Sequence, residues 1–196
     1  MPKTNTLPAD LPLHFDGPDE WAAWLKAHHT DSSGVWLRIA KAGAERPSIS
    51  HPQALDLALC YGWIDARSMS DGPHHWLKRF TPRASRSIWS KVNRDKALAL
   101  VAAGRMHPAG LREIERAKAD GRWEAAYDPG STSKVPPDLQ AALDAEPAAQ
   151  AFFATLDSQN RYSVLFRLQT AKRSDTRARR IETFVAMLAR GEKLHP

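Results

Sequence analysis

The chain has 196 residues, of which 42% are hydrophobic and 26% charged, and it carries a formal net charge of +6. This composition supports a folded core and excludes an intrinsically disordered protein. A single cysteine, Cys60, excludes an intramolecular disulfide and a cysteine-based zinc cage. No apolar run reaches the ~18 residues that a membrane helix needs, and no segment has the pattern of a signal peptide. We therefore expect a cytoplasmic protein without membrane insertion.

The positive charge is distributed unevenly along the chain. Residues 51–100 carry 8 basic and 4 acidic side chains, and residues 151–196 carry 9 basic and 4 acidic side chains. The remaining two blocks, 1–50 and 101–150, are slightly acidic. Two basic blocks favour anionic partners, whereas the simpler alternative is a solvated basic surface, because net charge alone does not identify a partner.

The first two thirds of the chain mix helical and strand-like periodicities. In chain order, the predicted elements are a helix over 18–28, a strand over 35–41, a helix over 51–61, strands over 63–69 and 74–80, and helices over roughly 87–103 and 108–121. Asp71-Gly72 between two alternating runs is typical of a hairpin turn. We expect one small antiparallel sheet with the first two helices packed on it. In the helix over 87–103, Val92, Leu98 and Val101 are the predicted core residues.

The last third of the chain has only helical patterns. Residues 128–135, DPGSTSKV, are typical of a linker. Helices are expected after it, with Ser158 as the predicted cap of one and Ser174 or Asp175 as the cap of the last. The predicted fold class is therefore α+β: a small antiparallel β-sheet with packed helices, followed by an all-helical C-terminal region. The predicted domains are residues 1–127 and 136–196, joined by the linker.

Residues 60–93 combine three of the seven tryptophans with directional polar groups, a mixture that suits a recognition surface. On the predicted strand over 63–69, Trp63, Asp65 and Arg67 share one face. That face is either a site wall, with Trp63 stacking on a ligand and Arg67 anchoring an anion, or a structural salt bridge covered by an indole. The candidate ligand-binding residues are Trp63, Asp65, Arg67, Arg79, Arg83, Trp89, Ser90 and Asn93.

The last predicted helix suggests a second anion site. Ile181, Phe184 and Leu188 form an apolar stripe, and helical spacing places Arg177 and Arg180 on the same face. Inward-facing arginines need partners, which are either acidic side chains and helix carbonyls or a bound anion. Helical spacing directs Arg179 away from this stripe. The candidate residues of the secondary anion site are Lys172, Arg173, Arg177 and Arg180.

The sequence contains no recognisable catalytic, metal-binding or cofactor-binding motif. Cys60 lies among leucines on an apolar helix face, where a thiol is usually an inert core residue. The eight histidines show no metal-ligand spacing. Asp65 is a conceivable general base, but it has no marked partner in sequence. We therefore predict no metal and no cofactor, and leave any catalytic residue unassigned.

Five segments carry a family resemblance. They are WLKAHHTDSSGVWLRIAK (24–41), ALCYGWIDARSMSDG (58–72), RFTPRASRSIWSKVN (79–93), AGRMHPAGLREIERAKADGRW (103–123) and TAKRSDTRARRIETFVAML (170–188). Together they resemble the bacterial YdeI/OmpD-associated, or bacteriocin-protection, family (OmdA-like). The resemblance implies a small bacterial protein with a helical C-terminal region, linked by the family name to the envelope and to bacteriocins. Ala66 departs from the glycine that the family pattern would place after Trp-Ile-Asp.

Three function classes follow from these patterns. The favoured one is a non-catalytic ligand-binding or interaction protein linked to stress or bacteriocin protection, with an anionic small molecule or a protein as its partner. The first alternative is a nucleic-acid-binding protein, since basic blocks and tryptophans suit phosphates and base stacking. The second alternative is an enzyme acting on an anionic small molecule. The oligomeric state does not follow from the sequence.

Overall fold

The computed structural model describes residues 11–196. These residues form two compact units, each with its own internal contacts. The N-terminal unit contains residues 11–89 and 93–125, and the C-terminal unit contains residues 90–92 and 126–196. The domain bounds expected from the sequence stay a prediction, because compactness does not establish that either unit folds alone.

Seven elements precede residue 120, and three of them are strands. They are α1 (Pro18–His28), β1 (Val35–Ala40), α2 (His51–Cys60), β2 (Trp63–Asp71), β3 (His75–Pro82), α3 (Lys91–Ala102) and α4 (Pro108–Ala119). The strands form one antiparallel sheet in the order β1-β3-β2. The predicted hairpin and the small antiparallel sheet are confirmed.

Aromatic side chains from α1 and the sheet form the core of the N-terminal unit. Trp21 and Leu25 lie four residues apart on α1 and are fully buried, as their helical spacing requires. The Trp21 ring lies 6.5 Å from the Trp63 ring and 5.6 Å from the Phe80 ring, between centroids. These contacts pack α1 against the hairpin, as predicted.

The prediction of which α3 residues face the core is wrong. Leu98 and Val101 are exposed, whereas Ala97 and Leu100 are buried. Val92, the third predicted core residue, is also exposed. Successive residues of an α-helix are rotated by roughly 100°, so Leu98 and Val101 each lie one step around from a buried neighbour. The prediction followed side-chain size, whereas the helix packs through a face that includes a small alanine.

The C-terminal unit contains four helices and confirms the predicted helical region. They are α5 (Pro137–Asp144), α6 (Pro147–Thr155), α7 (Ser158–Gln169) and α8 (Ser174–Ala189). Their core contains, among others, Leu139, Leu143, Phe153, Val164, Leu168, Phe184 and Leu188. The residue that caps α7 is Asp157 rather than Ser158, because the Asp157 carboxylate accepts from the Asn160 backbone N–H at 2.7 Å.

In the part of the chain that the structure describes, no helix combines the length and the apolar character required to cross a membrane.

Candidate functional site

Trp63 belongs to the core rather than to an open recognition surface. Its side chain is 1% exposed. The indole Nε1–H donates to the His29 carbonyl at 3.1 Å, and the ring meets Trp24 edge-on at 5.8 Å between centroids. Trp63 therefore presents no open ring face to solvent, because both its ring and its polar atom are engaged within the fold. Its predicted role in a ligand site stays a prediction.

Asp65 lies in a partly buried charge cluster with two basic groups. Its Oδ2 atom is 2.8 Å from Lys78 Nζ and 3.1 Å from His51 Nε2. Burial raises the pKa of Asp65, but hydrogen bonds from His51 and Lys78 outweigh burial and lower the pKa to about 2. A carboxylate that two basic partners keep ionised fits the structural salt bridge rather than the site wall. A pKa this low also makes Asp65 a poor general base near neutral pH.

A β-bulge separates Arg67 from the face that carries Trp63 and Asp65. Asp65 pairs with Phe80, but the next paired residue on β2, Ser68, is opposite Lys78, so the register shifts between them. The extra residue interrupts the alternation of side chains on which the shared face was predicted. Arg67 is exposed at this bulge.

Arg79, on β3, lies elsewhere on the sheet. Its guanidinium carbon is 5.8 Å from the centroid of the Trp36 ring on β1. This distance is within the range of a cation–π contact, so Arg79 lies beside the neighbouring strand.

Arg83 and Trp89 are brought together, as their proximity in sequence suggested. The guanidinium carbon of Arg83 lies 3.5 Å from the centroid of the Trp89 ring, and Arg83 is only 5% exposed. Arg83 Nη1 donates to the Ile88 carbonyl at 3.3 Å. Trp89 in turn meets Trp123 edge-on at 4.9 Å between centroids. This stack is buried, so it positions Arg83 rather than presenting a ring to solvent.

The last two candidate residues lie at the start of α3. Ser90 belongs to the C-terminal unit, where it is buried and its backbone bridges to Tyr127. Asn93 is half-buried in the first turn of α3 and belongs to the N-terminal unit. The proposal that all eight residues bind one ligand stays a prediction.

Arg177, a predicted residue of the secondary anion site, instead binds groups within the protein. Arg177 makes two hydrogen bonds to the Asp138 carboxylate, at 2.6 and 2.8 Å, and Nη1 donates to the Leu168 carbonyl at 2.7 Å. The hydrogen bond from Arg177 lowers the pKa of Asp138. Arg180 donates to the Arg167 carbonyl. Both arginines are half-buried, and their partners are those of the structural alternative.

The two remaining residues of the secondary site are solvent-exposed. Arg173 pairs with the neighbouring Asp175 carboxylate through Nε at 3.1 Å and Nη2 at 3.0 Å. Lys172 lies in the turn between α7 and α8. These two cations therefore remain open to a partner from solvent, unlike Arg177.

A small pocket in the N-terminal unit gathers polar residues from distant parts of the chain. It has a volume of about 160 Å³. The polar and aromatic side chains that line it include His29, Tyr61, Trp63, Arg83, Arg112 and Glu113. We call it the His–Tyr pocket. Of the residues predicted as a site, it includes Trp63 and Arg83.

Two imidazoles and a phenol ring form an aromatic cluster at the edge of this pocket, and His29 and Tyr61 of this cluster line it. The ring centroids of Tyr61 and His107 lie 4.7 Å apart at an interplanar angle of 22°, and His29 is 5.1 Å from Tyr61 and 5.0 Å from His107. Burial lowers the pKa of His107, and the nearby His29 and Arg112 lower it further. The lowered pKa favours the neutral form of His107.

Backbone contacts fix the tautomers of the two histidines. His29 Nδ1–H donates to the Leu25 carbonyl at 2.9 Å, which leaves Nε2 of the neutral ring as an acceptor. His107 Nδ1 accepts from the Ala109 backbone N–H at 3.2 Å, so Nε2 of the neutral ring carries the proton. The cluster thus offers both a hydrogen-bond acceptor and a donor.

The close approach of α4 to the end of α2 assembles the pocket. A Cβ atom at Gly110 would lie 2.3 Å from the Cys60 carbonyl oxygen, so only glycine permits this contact. The His107 backbone N–H donates to the same carbonyl at 3.1 Å. Because Tyr61 follows Cys60 directly, this contact brings Tyr61 and His107 together. No sequence motif predicts the cluster. The His107-Pro108 pair indicates only the start of α4.

A wider cleft near the hairpin turn has less capacity for an anion. It has a volume of about 600 Å³ and is lined by Arg38, Arg46, Asp71 and His74, among others. Arg38 already pairs with Asp71 at 2.6 Å. Arg46 pairs with Asp16 through Nε at 2.8 Å and Nη2 at 2.9 Å. Each guanidinium in this cleft therefore has an internal carboxylate partner.

The fold and the family comparisons define an α+β protein with a helical C-terminal region. Residues 13–113 match a family described as a domain of unknown function (DUF8412). The match covers more than half of the 196 residues, and the chain belongs to this family.

The C-terminal part of the chain matches a second family. Residues 132–191 match the family described as Bacteriocin-protection, YdeI or OmpD-Associated (OmdA). This confirms the family resemblance on that part of the chain, whereas the N-terminal motifs lie mostly within the first match. No curated protein and no solved structure gives a significant match to the chain.

Proposed function

We propose that this protein binds a small anion in the His–Tyr pocket and acts, without catalysis, in bacteriocin protection in the cytoplasm. The observation that carries the proposal is the convergence of two guanidinium groups, from Arg83 and Arg112, with the His29 imidazole at one pocket. The His107 ring packs against His29 beside it. Glu113 also lines the pocket, but its carboxylate pairs with Arg116. The pocket therefore has an excess of hydrogen-bond donors and positive charge, which favours an anionic ligand.

Arg112 is the residue best placed to bind the ligand. It is exposed at the pocket, and within residues 11–196 its side chain has no ion pair or hydrogen bond. Arg83 is held against Trp89, so it contributes a fixed positive charge. An anion can reach the accessible Arg112 first, and the fixed charge of Arg83 then holds it in position.

The size of the pocket limits the ligand. Each water in liquid occupies about 30 Å³, so 160 Å³ accommodates a phosphate or sulfate ion or a short carboxylate. We therefore expect a small oxyanion, or the anionic head of a larger ligand whose remainder stays in solvent.

Titration with inorganic phosphate, sulfate and acetate tests the proposal. We expect saturable shifts of the His29 and His107 side-chain NMR resonances and at least a tenfold weaker affinity in Arg112→Gln. Lys118→Gln removes a positive charge from the same helix outside the pocket and should bind like the wild type. Absence of saturable shifts with all three anions, or equal weakening in both variants, would overturn the proposal.

One observation supports an enzyme acting on an anionic small molecule as a second candidate function of this pocket. The Leu25 carbonyl orients the His29 ring so that Nε2 is available as a proton acceptor in the same pocket as Arg112. This base-and-anchor arrangement suits proton transfer on an anionic substrate. An enzyme would hydrolyse p-nitrophenyl phosphate or a similar anionic ester and lose that activity in His29→Gln. A binding protein would leave these esters unchanged.

A further inference from the structure

We infer that the C-terminal unit binds the phosphate backbone of nucleic acid through a basic surface at the junction of α7 and α8. This α7–α8 basic surface consists of Arg167, Lys172, Arg173, Arg179 and Arg180. It is separate from the small-anion pocket, and its argument does not depend on that pocket. It also differs from the secondary anion site expected from sequence, because Arg177 leaves the set while Arg179 and Arg167 join it.

The structure separates the structural arginine from the accessible ones. Arg177 donates to the Asp138 carboxylate and to the Leu168 carbonyl, so its guanidinium has little left to offer a partner. In contrast, the side chains of Arg173 and Arg179 are 79% and 73% exposed. These side chains contribute nothing to the core, and their charges are available to a partner in solvent.

The charges of this surface are only partly compensated. Arg173 and Arg179 share one carboxylate, that of Asp175, at 3.0 and 3.7 Å. The short contact between Arg180 and the Arg167 carbonyl places these two residues side by side. With five cations against the shared Asp175 carboxylate and the exposed Glu182 of the same helix, the surface keeps an excess of positive charges, which repel one another until an anion neutralises them.

The geometry favours an extended polyanion over a single small anion. A helix rises 1.5 Å per residue, so the backbone positions 173 and 180 lie about 10 Å apart along α8. One phosphate can be contacted by only some of these five cations, whereas successive phosphates of a nucleic-acid strand can contact all of them. Four of the five cations are arginines, whose planar donors suit bidentate contacts to phosphate.

The surroundings of the surface argue against a lipid partner. Interfacial membrane helices place large apolar side chains in the acyl boundary. Among the described residues, the large exposed hydrophobic side chains are Leu11, Ile88, Val92, Leu98, Val101 and Leu111, and none lies on α7 or α8. A polar, arginine-rich surface without apolar anchors therefore fits the nucleic-acid backbone better than a bilayer.

Fluorescence anisotropy with a 20-base-pair DNA duplex and single-stranded DNA and RNA of the same length tests the inference with the full chain. Neutralising about four phosphates predicts that affinity for the duplex falls roughly a hundredfold between ~50 and ~200 mM salt. The triple variant Lys172→Gln/Arg173→Gln/Arg179→Gln should bind the duplex at least tenfold more weakly and with a shallower salt dependence. All three side chains are exposed, so the variant should keep its circular dichroism spectrum and its melting temperature.

A matched control removes the same number of charges elsewhere in the C-terminal unit. Lys134, Arg190 and Lys193 are also exposed, and their triple Gln variant should bind within about twofold of the wild type, because it leaves the α7–α8 basic surface intact. Arg112→Gln should likewise retain duplex binding, which distinguishes this surface from the His–Tyr pocket.

Three results would overturn the inference. The first is no binding to any of the three nucleic acids at ~50 mM salt, conditions in which phosphate contacts are strongest. The second is equal weakening in the two triple variants, which would assign binding to net charge alone. The third is tighter binding to phosphatidylserine vesicles than to the duplex, which would assign the surface to lipid headgroups.

Discussion

The two units of this protein use their aromatic and basic residues in opposite ways. All seven tryptophans lie in the N-terminal unit, and Trp21, Trp63 and Trp89 are among its most deeply buried side chains. The C-terminal unit contains no tryptophan and exposes arginines such as Arg173 and Arg179. Both units have basic segments that look alike in sequence, yet in one an arginine is packed under an indole and in the other arginines face solvent.

This contrast shows that an arginine beside a tryptophan in sequence is weak evidence for an open binding surface. The indole of Trp89 covers the Arg83 guanidinium, and the pair is removed from solvent. Desolvated charges need internal partners, so such pairs contribute to structure. The residues that remain available for a ligand are those that the core does not use, such as Arg112 and Arg179.

The largest expected effect is on the junction that assembles the His–Tyr pocket. In Gly110→Ala, the added methyl would meet the backbone carbonyls of Leu59 and Cys60 at 2.8 and 2.3 Å. Because backbone cannot move aside cheaply, we expect a loss of about 3 kcal/mol in the free energy of unfolding, measured by urea denaturation. Gly17→Ala is the control, since a Cβ atom there meets nothing within 4 Å. Equal stability of the two variants would show that α4 does not rest on α2 as described.

The next effect concerns the buried charge cluster of the sheet. Asp65→Asn should cost about 2 kcal/mol at pH 7, because the pKa of Asp65 is about 2 in the fold against about 3.9 in the unfolded chain. A carboxylate with a lowered pKa stabilises the fold above its unfolded pKa, and this contribution disappears as the pH falls from about 4 to about 2.

Urea denaturation at several pH values checks this prediction. The difference between the wild type and Asp65→Asn should be constant from pH 7 to about 5 and should shrink below about pH 4. Asp95→Asn, an exposed carboxylate beside Arg94, should show no such difference. A pH-independent cost of Asp65→Asn would contradict the ionised cluster with Lys78 and His51.

A smaller effect is expected for the structural arginine of the C-terminal unit. Arg177→Ala removes a bidentate pair to Asp138 and a hydrogen bond to Leu168, but the Asp138 side chain is 45% exposed. Because water screens and resolvates the stranded carboxylate, we expect a loss of about 1 kcal/mol, below that of a fully buried pair. Unchanged or increased stability in urea denaturation would indicate instead that Arg177 is held ready for an anionic ligand.

The smallest effect on stability is expected for Arg179, which lies two residues after Arg177 on α8. Arg179→Ala should leave the melting temperature unchanged, because its side chain is largely in solvent. The same variant should weaken binding to a DNA duplex, whereas Arg177→Ala should not. A loss of stability in Arg179→Ala, with no change in binding, would reverse the roles assigned to the two arginines.

Local sequence patterns were sufficient to predict the elements of this fold. Trp21 and Leu25 at helical spacing, and the Asp71-Gly72 turn between alternating runs, correctly indicated α1 and the hairpin. The helical C-terminal region and its family resemblance also followed from the sequence. These features depend on contacts between residues two to four positions apart, which periodicity and turn chemistry report directly.

Proximity in sequence did not by itself decide which of the candidate residues share a face. Residues 63–93 were expected to converge, yet Asp65 pairs with Lys78 and His51, and the bulge before Ser68 displaces Arg67 from the face that carries Trp63. A bulge shifts every following side chain to the other face of the strand. A single inserted residue leaves no clear signature in the sequence.

The His–Tyr pocket depends on packing between segments that are far apart in the chain. His29, Tyr61, His107 and Arg112 come from the ends of three helices, and they meet because Gly110 lets α4 lie against the end of α2. Each residue is unremarkable in its own segment, so periodicity along the chain contains no information about the cluster. Helix positions were predictable because hydrogen bonds and apolar spacing are local, whereas the relative placement of helix ends is set by close packing of residues tens of positions apart.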